Sequence, residues 1–337
     1  MTAPLNMALK GELDRIFLPV RADLDALEKR LISILKTDEP QLAKALSHIE
    51  AMRGKLIRPA LIFLTAKTYG GVTARHGLLA HAVELTHIAS LLHDDVVDHS
   101  ELRRGRASLN ALLGDEQAIL VGDYLFARAL EMLEGVGDTE AFVMVARFIG
   151  QASSGELHQL SRAFMSDVTE EEYYSYIRRK TAGLFALATS LSAKLSGVSG
   201  DERELNRSFG ESFGMAFQVA DDCSDLLGDS GDEGKPVMKD ISEGQMTLPA
   251  ILLFRKLGQE WGSRILRGVR DGDPDAFKEI SDAIRDREII LACASKVNGF
   301  VKSAMEAAVQ IEGGSGGPLV RLAQVLMKKL NKLAEGI

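Results

Sequence analysis

Two short acidic clusters hold the greatest potential for chemistry in this sequence. Residues 94–98 read Asp-Asp-Val-Val-Asp, and residues 221–225 read Asp-Asp-Cys-Ser-Asp. On a helix, residues i and i+4 share a face, so the first and last carboxylates of each cluster lie one turn apart. Like charges at this spacing repel, and a hard divalent cation with oxygen ligands would offset the repulsion. The candidate metal ligands are Asp94, Asp95, Asp98, Asp221, Asp222 and Asp225.

Magnesium is the metal that such a donor set favours. Mg²⁺ binds through one or two carboxylates and completes its shell with water and substrate phosphates. Two acidic clusters facing each other would therefore clamp a diphosphate through metal bridges. A solvated acidic helix end is the alternative explanation for one such pentapeptide. Two pentapeptides that each close an apolar helix favour the metal site.

Basic side chains occur in tight groups, although the chain is acidic overall. Lys55 and Arg58 are three residues apart where a helix is predicted to begin, and Arg103 and Arg104 follow the first acidic cluster within one loop. Guanidinium forks and lysine ammonium groups match phosphate oxygens in charge and geometry. These two pairs therefore predict anion sites beside the acidic clusters.

The elements that must position these residues are predicted to be helices. No proline occurs from residue 60 to residue 235, as expected of long helices, and apolar residues recur at steps of three and four. Alternating strand-type segments are almost absent. The sequence predicts a single all-α domain over residues 1–337. Loops are predicted near residues 37–40, 70–73, 99–108, 134–138, 197–201, 228–240, 271–274 and 312–318.

Composition limits the class of protein. With 40 basic and 48 acidic residues among 337, the formal net charge is −8, which argues against a nucleic-acid-binding surface. Two cysteines cannot form a disulfide framework, so a reducing, cytoplasmic compartment is expected. Charged residues interrupt the apolar stretch near the N-terminus, so no signal peptide is expected. No window approaches about 18 uncharged apolar residues, so no transmembrane segment is predicted.

Taken together, the motifs between residues 45 and 260 resemble those of the all-trans polyprenyl diphosphate synthases, in the family's order. Arg53 and Leu56 depart from the usual residues of the first motif but leave Lys55 and Arg58 intact. The matching segments are 54–59, 84–98, 103–105, 122–124, 155–159, 180–181, 217–225, 234–236, 240, 243–244 and 247–249. The resemblance implies a bundle of long helices around a central substrate cavity, the isoprenoid synthase fold, and a homodimer.

The resemblance also implies a chemistry that suits these residues. An allylic diphosphate would bind between the two acidic clusters through Mg²⁺, and the resulting allylic cation would be attacked by the double bond of isopentenyl diphosphate. The isopentenyl diphosphate site would comprise Lys55, Arg58, His87 and Arg104. The allylic diphosphate would contact Arg103, Lys180, Gln218 and Lys235. Lys180, Thr181 and Gln218 would be catalytic, with the Thr181 carbonyl or hydroxyl stabilising the cation.

Product length is expected to depend on the helix that ends in Asp94. Ala89 and Ser90 lie about one turn before Asp94 and are small, and in the family bulky residues at these positions are typical of short products. We therefore expect a product longer than C20, with a C20 or C15 synthase as the alternative. Met144 and Phe148 are candidates for a floor of the product tunnel.

Three other classes remain open at this stage. His93 and Asp94, with His76, His81 and His87 upstream, would suit an HD-type phosphohydrolase, but that class leaves the second acidic cluster unexplained. A terpene cyclase typically carries an Asn/Asp–Ser/Thr–Glu pattern in place of that second cluster. A non-catalytic synthase subunit should have lost aspartates or basic ligands, and all of them are present here.

Overall fold

In the computed structural model of the chain, the described residues are 11–52, 54–227 and 238–335, and they are almost entirely helical. Residues 11–17 are helical and lead into a 3₁₀ turn at Leu18–Val20. The first half of the chain then contains α1 (Arg21–Ile34), α2 (Pro40–Ala51), α3 (Ile57–Thr68), α4 (Ala74–Val97), α5 (Leu109–Leu113), α6 (Asp115–Val136) and α7 (Thr139–Ser161).

The second half begins with α8 (Glu170–Ile177), which runs through a π-helical turn (Arg178–Ala182) into α9 (Gly183–Leu195). The remaining helices are α10 (Gly200–Leu227), α11 (Lys239–Ser242), α12 (Leu248–Leu257), α13 (Gln259–Arg270), α14 (Pro274–Ile284), α15 (Arg287–Glu312) and α16 (Pro318–Glu335). The predicted all-α class is confirmed.

Strand structure among the described residues is limited to one two-residue hairpin inside the predicted 99–108 loop. Leu102–Arg103 (β1) pairs antiparallel with Arg106–Ala107 (β2). The two residues between them have positive φ, 53° at Arg104 and 73° at Gly105. Positive φ at both central residues is the requirement of a type I′ turn, so a non-glycine residue here adopts a left-handed conformation.

Helix boundaries differ from the predicted ones in both directions. Helix α6 continues to Val136, beyond the predicted loop start at residue 134. Conversely, one helix ends and the next begins at Gly114 and at Gly258, where no loop was predicted. Both glycines have a φ of 94° and a ψ near 150–160°. Only glycine adopts such a conformation readily, so one residue can end a helix and begin the next.

The chain divides into two compact units. We call residues 14–149 with 187–207 the N-unit, and residues 1–13, 150–186 and 208–337 the C-unit. The boundaries at residues 149/150, 186/187 and 207/208 fall inside α7, α9 and α10. This division does not test whether the two units belong to one domain, so the single domain predicted over residues 1–337 stays a prediction.

Helix α4 forms the core of the N-unit. Its residues 79–86 are all buried, and it packs extensively on α6. Gly122 leaves room for the His93 ring at this contact, since a Cβ atom on Gly122 would lie 2.3 Å from Nε2 of His93. Gly122 therefore allows α6 to pack against the end of α4 that carries the first acidic cluster.

An aromatic cluster holds α10 in the C-unit. Phe185 packs against Phe213 and Phe217, with ring centroids 5.4 and 5.6 Å apart. A Cβ atom on Gly214 would lie 2.6 Å from Cα of Ala182, so only glycine lets α10 pass this close to the π-helical turn. The contact brings the α10 residues that precede the second acidic cluster next to Lys180 and Thr181.

His76 is a buried neutral histidine that fixes the start of α4. It is fully buried, its Nδ1 accepts a hydrogen bond from the backbone N–H of Thr73, and its Nε2 lies 3.1 Å from the carbonyl of Ser192. This pattern matches a neutral ring protonated on Nε2. Burial lowers the pKa of His76 below its ordinary value.

We predict that His76 contributes to acid sensitivity. Below an ordinary pKa near 6.5, an unfolded histidine takes up a proton that the buried ring resists, so stability present at neutral pH is lost as the pH falls. The fall in Tm between pH 7.5 and 5.5 should be smaller in His76→Gln than in the parent or in the exposed-site control His158→Gln. An equal fall in all three proteins would contradict this role.

Candidate active site

The second acidic cluster occupies the last two turns of α10, and its three aspartates differ in environment. Asp221 is exposed and Asp225 is half-buried, whereas Asp222 is only 7% exposed. Both carboxylate oxygens of Asp222 accept hydrogen bonds, Oδ1 from Nε2 of Gln218 at 2.7 Å and Oδ2 from the hydroxyl of Tyr173 at 2.5 Å. Asp222 is therefore held from inside the protein, while its two neighbours in the cluster reach solvent.

The hydrogen-bond chain continues from Gln218 to the π-helical turn. The hydroxyl of Thr181 donates to Oε1 of Gln218 at 2.8 Å. A π-helical turn widens the backbone spiral by one residue, and such turns are frequent at functional sites. Here it lies at Arg178–Ala182 and contains both Lys180 and Thr181. Two of the predicted catalytic residues, Thr181 and Gln218, are thus joined directly.

Negative charge is crowded around this cluster. Burial raises the pKa of Asp222 to about 7, with further contributions from Asp221 and Asp225, against the opposing hydrogen bonds from Tyr173 and Gln218. Burial and the same three aspartates raise the pKa of Asp240 well above its ordinary value. Carboxylates that compete for protons in this way form a site that a cation would stabilise.

Lys180 is the basic side chain on the π-helical turn. It forms an ion pair with Glu156 of α7, and its ammonium group lies 5.8 Å from the centroid of the Tyr176 ring. Near Glu156, Nε2 of Gln159 donates to Oε1 of Gln245 at 3.0 Å. These contacts bring the motif residues of α7, the π-helical turn and the segment after α11 together within the C-unit.

The first acidic cluster ends α4 in the N-unit and follows the same pattern. Asp95 is 2% exposed, and Nε of Arg103 donates to its two oxygens at 2.9 and 3.1 Å, with a further short contact from Nη2. Asp94 and Asp98 are half-buried. Burial would lower the pKa of Arg103, but the hydrogen bond and charge of Asp95, with Asp94 and Asp98, raise it.

A mixed-charge cluster lies beside the first acidic cluster. It contains Arg58, Glu84, His87 and Arg104, and Glu84 is 6% exposed. Burial raises the pKa of Glu84, opposed by Arg58 and Arg104, whereas burial lowers that of Arg58 to about 10. Burial and the same two arginines hold the pKa of His87 well below its ordinary value, so this ring is neutral.

Arg104 is fixed by the hairpin turn and by the loop before α3. Its Nη1 donates to the carbonyl of Met52 at 2.6 Å, and a Cβ atom on Gly54 would lie 2.7 Å from Nη2. Lys55, next to Gly54, is exposed. His87 and Arg104 also border a largely apolar cavity between α1, α2 and α4. Three of the four residues predicted for one anion site, Arg58, His87 and Arg104, are thus brought together.

The residues predicted to set product length lie in the N-unit. Ala89 is fully buried, and the hydroxyl of Ser90 donates to the His87 carbonyl of its own helix at 2.8 Å. Phe148 is buried, and Sδ of Met144 lies 3.4 Å from a guanidinium nitrogen of Arg203. Their role in product length stays a prediction.

The donor set suits a metal that takes few protein ligands. Within residues 11–52, 54–227 and 238–335, no group of three or more His, Cys, Asp or Glu side chains is placed to hold a metal ion by itself. Mg²⁺ bound through one or two carboxylates, with water and phosphate oxygens completing its shell, needs no such group. The accessible Asp94, Asp98, Asp221 and Asp225 provide oxygen donors of that kind.

The histidines do not form the metal cage that an HD-type phosphohydrolase would need. His76, His81 and His93 each have a ring nitrogen within hydrogen-bonding distance of a backbone carbonyl, those of Ser192, Gly77 and Ile119. These contacts give the three rings structural roles in helices α4, α6 and α9.

Sequence reasoning missed two residues of these clusters and named one that cannot be described. Tyr173 donates a hydrogen bond to Asp222, and Glu84 interacts electrostatically with Arg58 and Arg104, but neither belonged to a predicted site. The i, i+3 spacing of Glu84 and His87 could have indicated Glu84, whereas Tyr173 lies 49 residues from Asp222 and no local pattern joins them. Lys235 lies outside the described residues.

No helix among the described residues meets the length and hydropathy needed to cross a bilayer.

Comparison with known proteins identifies the family. The polyprenyl synthetase family model matches residues 39–284, so the chain belongs to the polyprenyl synthetase family. It is 34% identical over 281 residues to solanesyl diphosphate synthase 2, chloroplastic, of Arabidopsis thaliana, covering 82% of this chain and 67% of that protein. It is 36% identical over 242 residues to the short chain isoprenyl diphosphate synthase of Methanothermobacter thermautotrophicus, covering 71% and 74%.

A solved structure extends the similarity to almost the whole chain. A polyprenyl synthase from Caulobacter crescentus CB15, complexed with calcium and isoprenyl diphosphate, superposes with a TM-score of 0.86 at 29% identity. The match covers 94% of this chain and 97% of that one. The fold is therefore that of the isoprenoid synthases, as the sequence motifs implied.

We predict that His87 does not titrate near neutral pH. Because burial and the flanking arginines disfavour its charged form, its ring resonance in histidine-labelled protein should not move between pH 8 and 6. The resonance is assigned by its loss in His87→Asn, and in urea it should titrate at about 6.5. A folded-state midpoint above 6 would contradict the arrangement of charges described here.

Proposed function

We propose that this chain is a prenyltransferase that condenses isopentenyl diphosphate with an allylic diphosphate in a metal-dependent reaction. The observation that carries the proposal is the paired design of the acidic clusters. Each has accessible first and last aspartates and a buried second aspartate held by internal donors. Family membership and the mixed-charge cluster in the N-unit support the same activity.

Mg²⁺ is the proposed metal. In each unit the accessible aspartates would hold it together with diphosphate oxygens and water, Asp94 and Asp98 in the N-unit and Asp221 and Asp225 in the C-unit. Asp95 and Asp222 complete the two clusters from inside. When bound, the metal supplies positive charge that stabilises the negative charge developing on the departing diphosphate. Calcium in the Caulobacter crescentus structure is a property of that protein and supports a divalent metal here.

The basic residues divide between the two substrates. Lys55, Arg58, His87 and Arg104 bind isopentenyl diphosphate, His87 as a neutral hydrogen-bonding group. Arg103, Lys180, Gln218 and Lys235 bind the allylic diphosphate. Lys180 then exchanges its ion pair with Glu156 for one with the diphosphate. Thr181 offers oxygen lone pairs to the allylic cation, and the released diphosphate accepts the proton lost from the condensed product.

The condensation assay tests this function against the alternatives. Purified protein is incubated with Mg²⁺, isopentenyl diphosphate and an allylic primer, and the products are analysed by mass spectrometry. Elongated diphosphates support the proposal. Free phosphate would instead indicate a phosphohydrolase, cyclic hydrocarbon a terpene cyclase, and no product a non-catalytic subunit.

The accessible aspartates should dominate activity. Asp94→Ala and Asp221→Ala should each lower kcat by about 10²–10³, because each removes charge that stabilises the departing diphosphate. Asp282→Ala changes an aspartate on the exposed surface of α14 and should leave kcat unchanged. Near-parental turnover in both cluster variants would show that the acidic clusters do not bind the catalytic metal.

A product longer than C20 is proposed for this chain. The small side chains of Ala89 and Ser90 and the similarity to a solanesyl diphosphate synthase favour a long chain. The similarity to a short chain synthase is comparable, so C20 or shorter is the competing outcome. Both predicted tunnel residues lie on α4 close to the first acidic cluster.

Bulk at Ala89 should shorten the product. Ala89 is fully buried, so a phenylalanine there must displace its neighbours or close the space that a growing chain would occupy. At saturating isopentenyl diphosphate, we expect the parent and Ser90→Ala to make products longer than C20 and Ala89→Phe to stop earlier. Parent products of only C15 or C20, or unchanged products from a folded Ala89→Phe variant, would contradict the proposal.

A homodimer formed by one all-α domain per subunit, in the cytoplasm, completes the proposal. Large apolar side chains are exposed on the N-unit surface at Leu112, Ile119, Leu120 and Phe142, which suits burial against a second copy. Cys223 and Cys293 are both buried thiols, which suits a reducing compartment.

A further inference from the structure

Tyr173 is a buried polar residue that the proposed reaction does not use. It lies in α8, its side chain is 3% exposed, and it belongs to none of the motifs that carry the family resemblance. Its hydroxyl donates to Oδ2 of Asp222 at 2.5 Å. A buried phenol needs such a partner, but the partner here is an aspartate of the second acidic cluster.

The hydrogen-bond chain that begins at Tyr173 has a defined direction. Asp222 accepts on both oxygens, so the group of Gln218 that faces Asp222 must be its NH₂. Its carbonyl oxygen then faces Thr181 and accepts that hydroxyl's proton at 2.8 Å. Turning the amide over would place its oxygen against a carboxylate oxygen and break the hydrogen bond to Asp222.

The direction of the chain decides what Thr181 can offer to a ligand. Its hydroxyl hydrogen is committed to Gln218, so the remaining directions around Oγ1 carry lone pairs. A hydroxyl held in this way acts as an acceptor and stabilises developing positive charge without having to reorient during the reaction.

We propose that Tyr173 is a positioning residue for the allylic half of the site: through Asp222 and Gln218 it holds the Thr181 hydroxyl as a hydrogen-bond acceptor. The inference rests on the proposed function, because the acceptor is useful only if positive charge develops near Thr181. Tyr173 itself touches neither substrate nor reacting atoms in this role.

The chain offers a matched control one residue away. Tyr174 is also on α8, is half-buried, and packs against Tyr173 with ring centroids 5.4 Å apart. Its hydroxyl lies 3.4 Å from Glu170 and takes no part in the series of hydrogen bonds that leads to Thr181. Tyr173→Phe and Tyr174→Phe therefore remove the same atom from neighbouring tyrosines, and only the first removal reaches Gln218.

The first experiment compares steady-state constants of the parent and both variants. We expect Tyr173→Phe to lower kcat about tenfold, since it removes a hydrogen bond to a charged group, with KM for each substrate within twofold. Tyr174→Phe should stay within twofold in every constant. Binding of a non-ionisable allylic thiolodiphosphate should be equal in all three proteins and reports that the site is folded in each variant.

A double-mutant cycle with Thr181→Val separates positioning from a general structural role. Valine keeps the shape of threonine and removes the hydroxyl on which Tyr173 is proposed to act. Adding Tyr173→Phe to Thr181→Val should then lower kcat by less than twofold. A further tenfold loss would show that Tyr173 acts elsewhere and would overturn the inference.

The two levels of the proposal fail in different ways. A parent protein that makes no elongated product contradicts the proposed function, and the inference falls with it. A parent that elongates normally, beside a Tyr173→Phe variant whose kcat matches that of Tyr174→Phe, overturns the inference alone. Weakened thiolodiphosphate binding in Tyr173→Phe would also overturn it, because the hydroxyl would then act on ground-state binding.

Discussion

Repulsion among carboxylates is the interaction on which the rest of the structure depends. Each acidic cluster places three aspartates within five residues, and each survives because its second aspartate is buried against internal donors. Arg103 neutralises Asp95 as an ionic partner, whereas the donors to Asp222 among the described residues are the neutral groups of Tyr173 and Gln218. Burial raises the pKa of Asp222 to about 7, and burial with the neighbouring aspartates raises the pKa of nearby Asp240 well above its ordinary value. Repulsion among carboxylates is therefore less fully compensated in the second acidic cluster, and a bound cation would stabilise that cluster more than the first.

Backbone irregularities, rather than side chains alone, bring the functional groups to these carboxylates. The π-helical turn carries Lys180 and Thr181, and Gly214 allows α10 to approach it closely enough for Gln218 to reach Thr181. In the N-unit, positive φ at Arg104 turns the hairpin, while Gly54 leaves room for the guanidinium group. An alanine at Gly214 would collide with the backbone of Ala182, and an alanine at Gly54 would displace the guanidinium group of Arg104. Conformational cost is concentrated at the positions that the proposed chemistry needs.

Local patterns in the sequence predicted the parts of this arrangement that depend on local spacing. Proline-free stretches and apolar periodicity predicted the helices. The i, i+4 spacing of the aspartates predicted that each acidic cluster lies on one face at the end of a helix. Helix breaks at Gly114 and Gly258 were missed because one glycine suffices and no polar loop marks it. Tyr173 was missed for a different reason. Tyr173 lies in the middle of an ordinary short helix, and its partner Asp222 lies 49 residues away. Such pairings follow from tertiary packing and cannot be read from local spacing.

In the proposed reaction, the second acidic cluster and the mixed-charge cluster would bind diphosphate groups in opposite ways. Around the second acidic cluster, the three aspartates and Asp240 concentrate negative charge, so a diphosphate would bind there together with cations. In the N-unit, Arg58 and Arg104 would attract a diphosphate directly, and the buried Glu84 offsets part of their charge. A carboxylate inside an anion site weakens binding, but its charge partly offsets the repulsion between the two guanidinium groups. His87 adds no charge because the same arginines keep it neutral. The proposed N-unit site therefore depends on hydrogen-bond geometry as well as charge. The proposed C-unit site depends on bound cations in addition to Lys180.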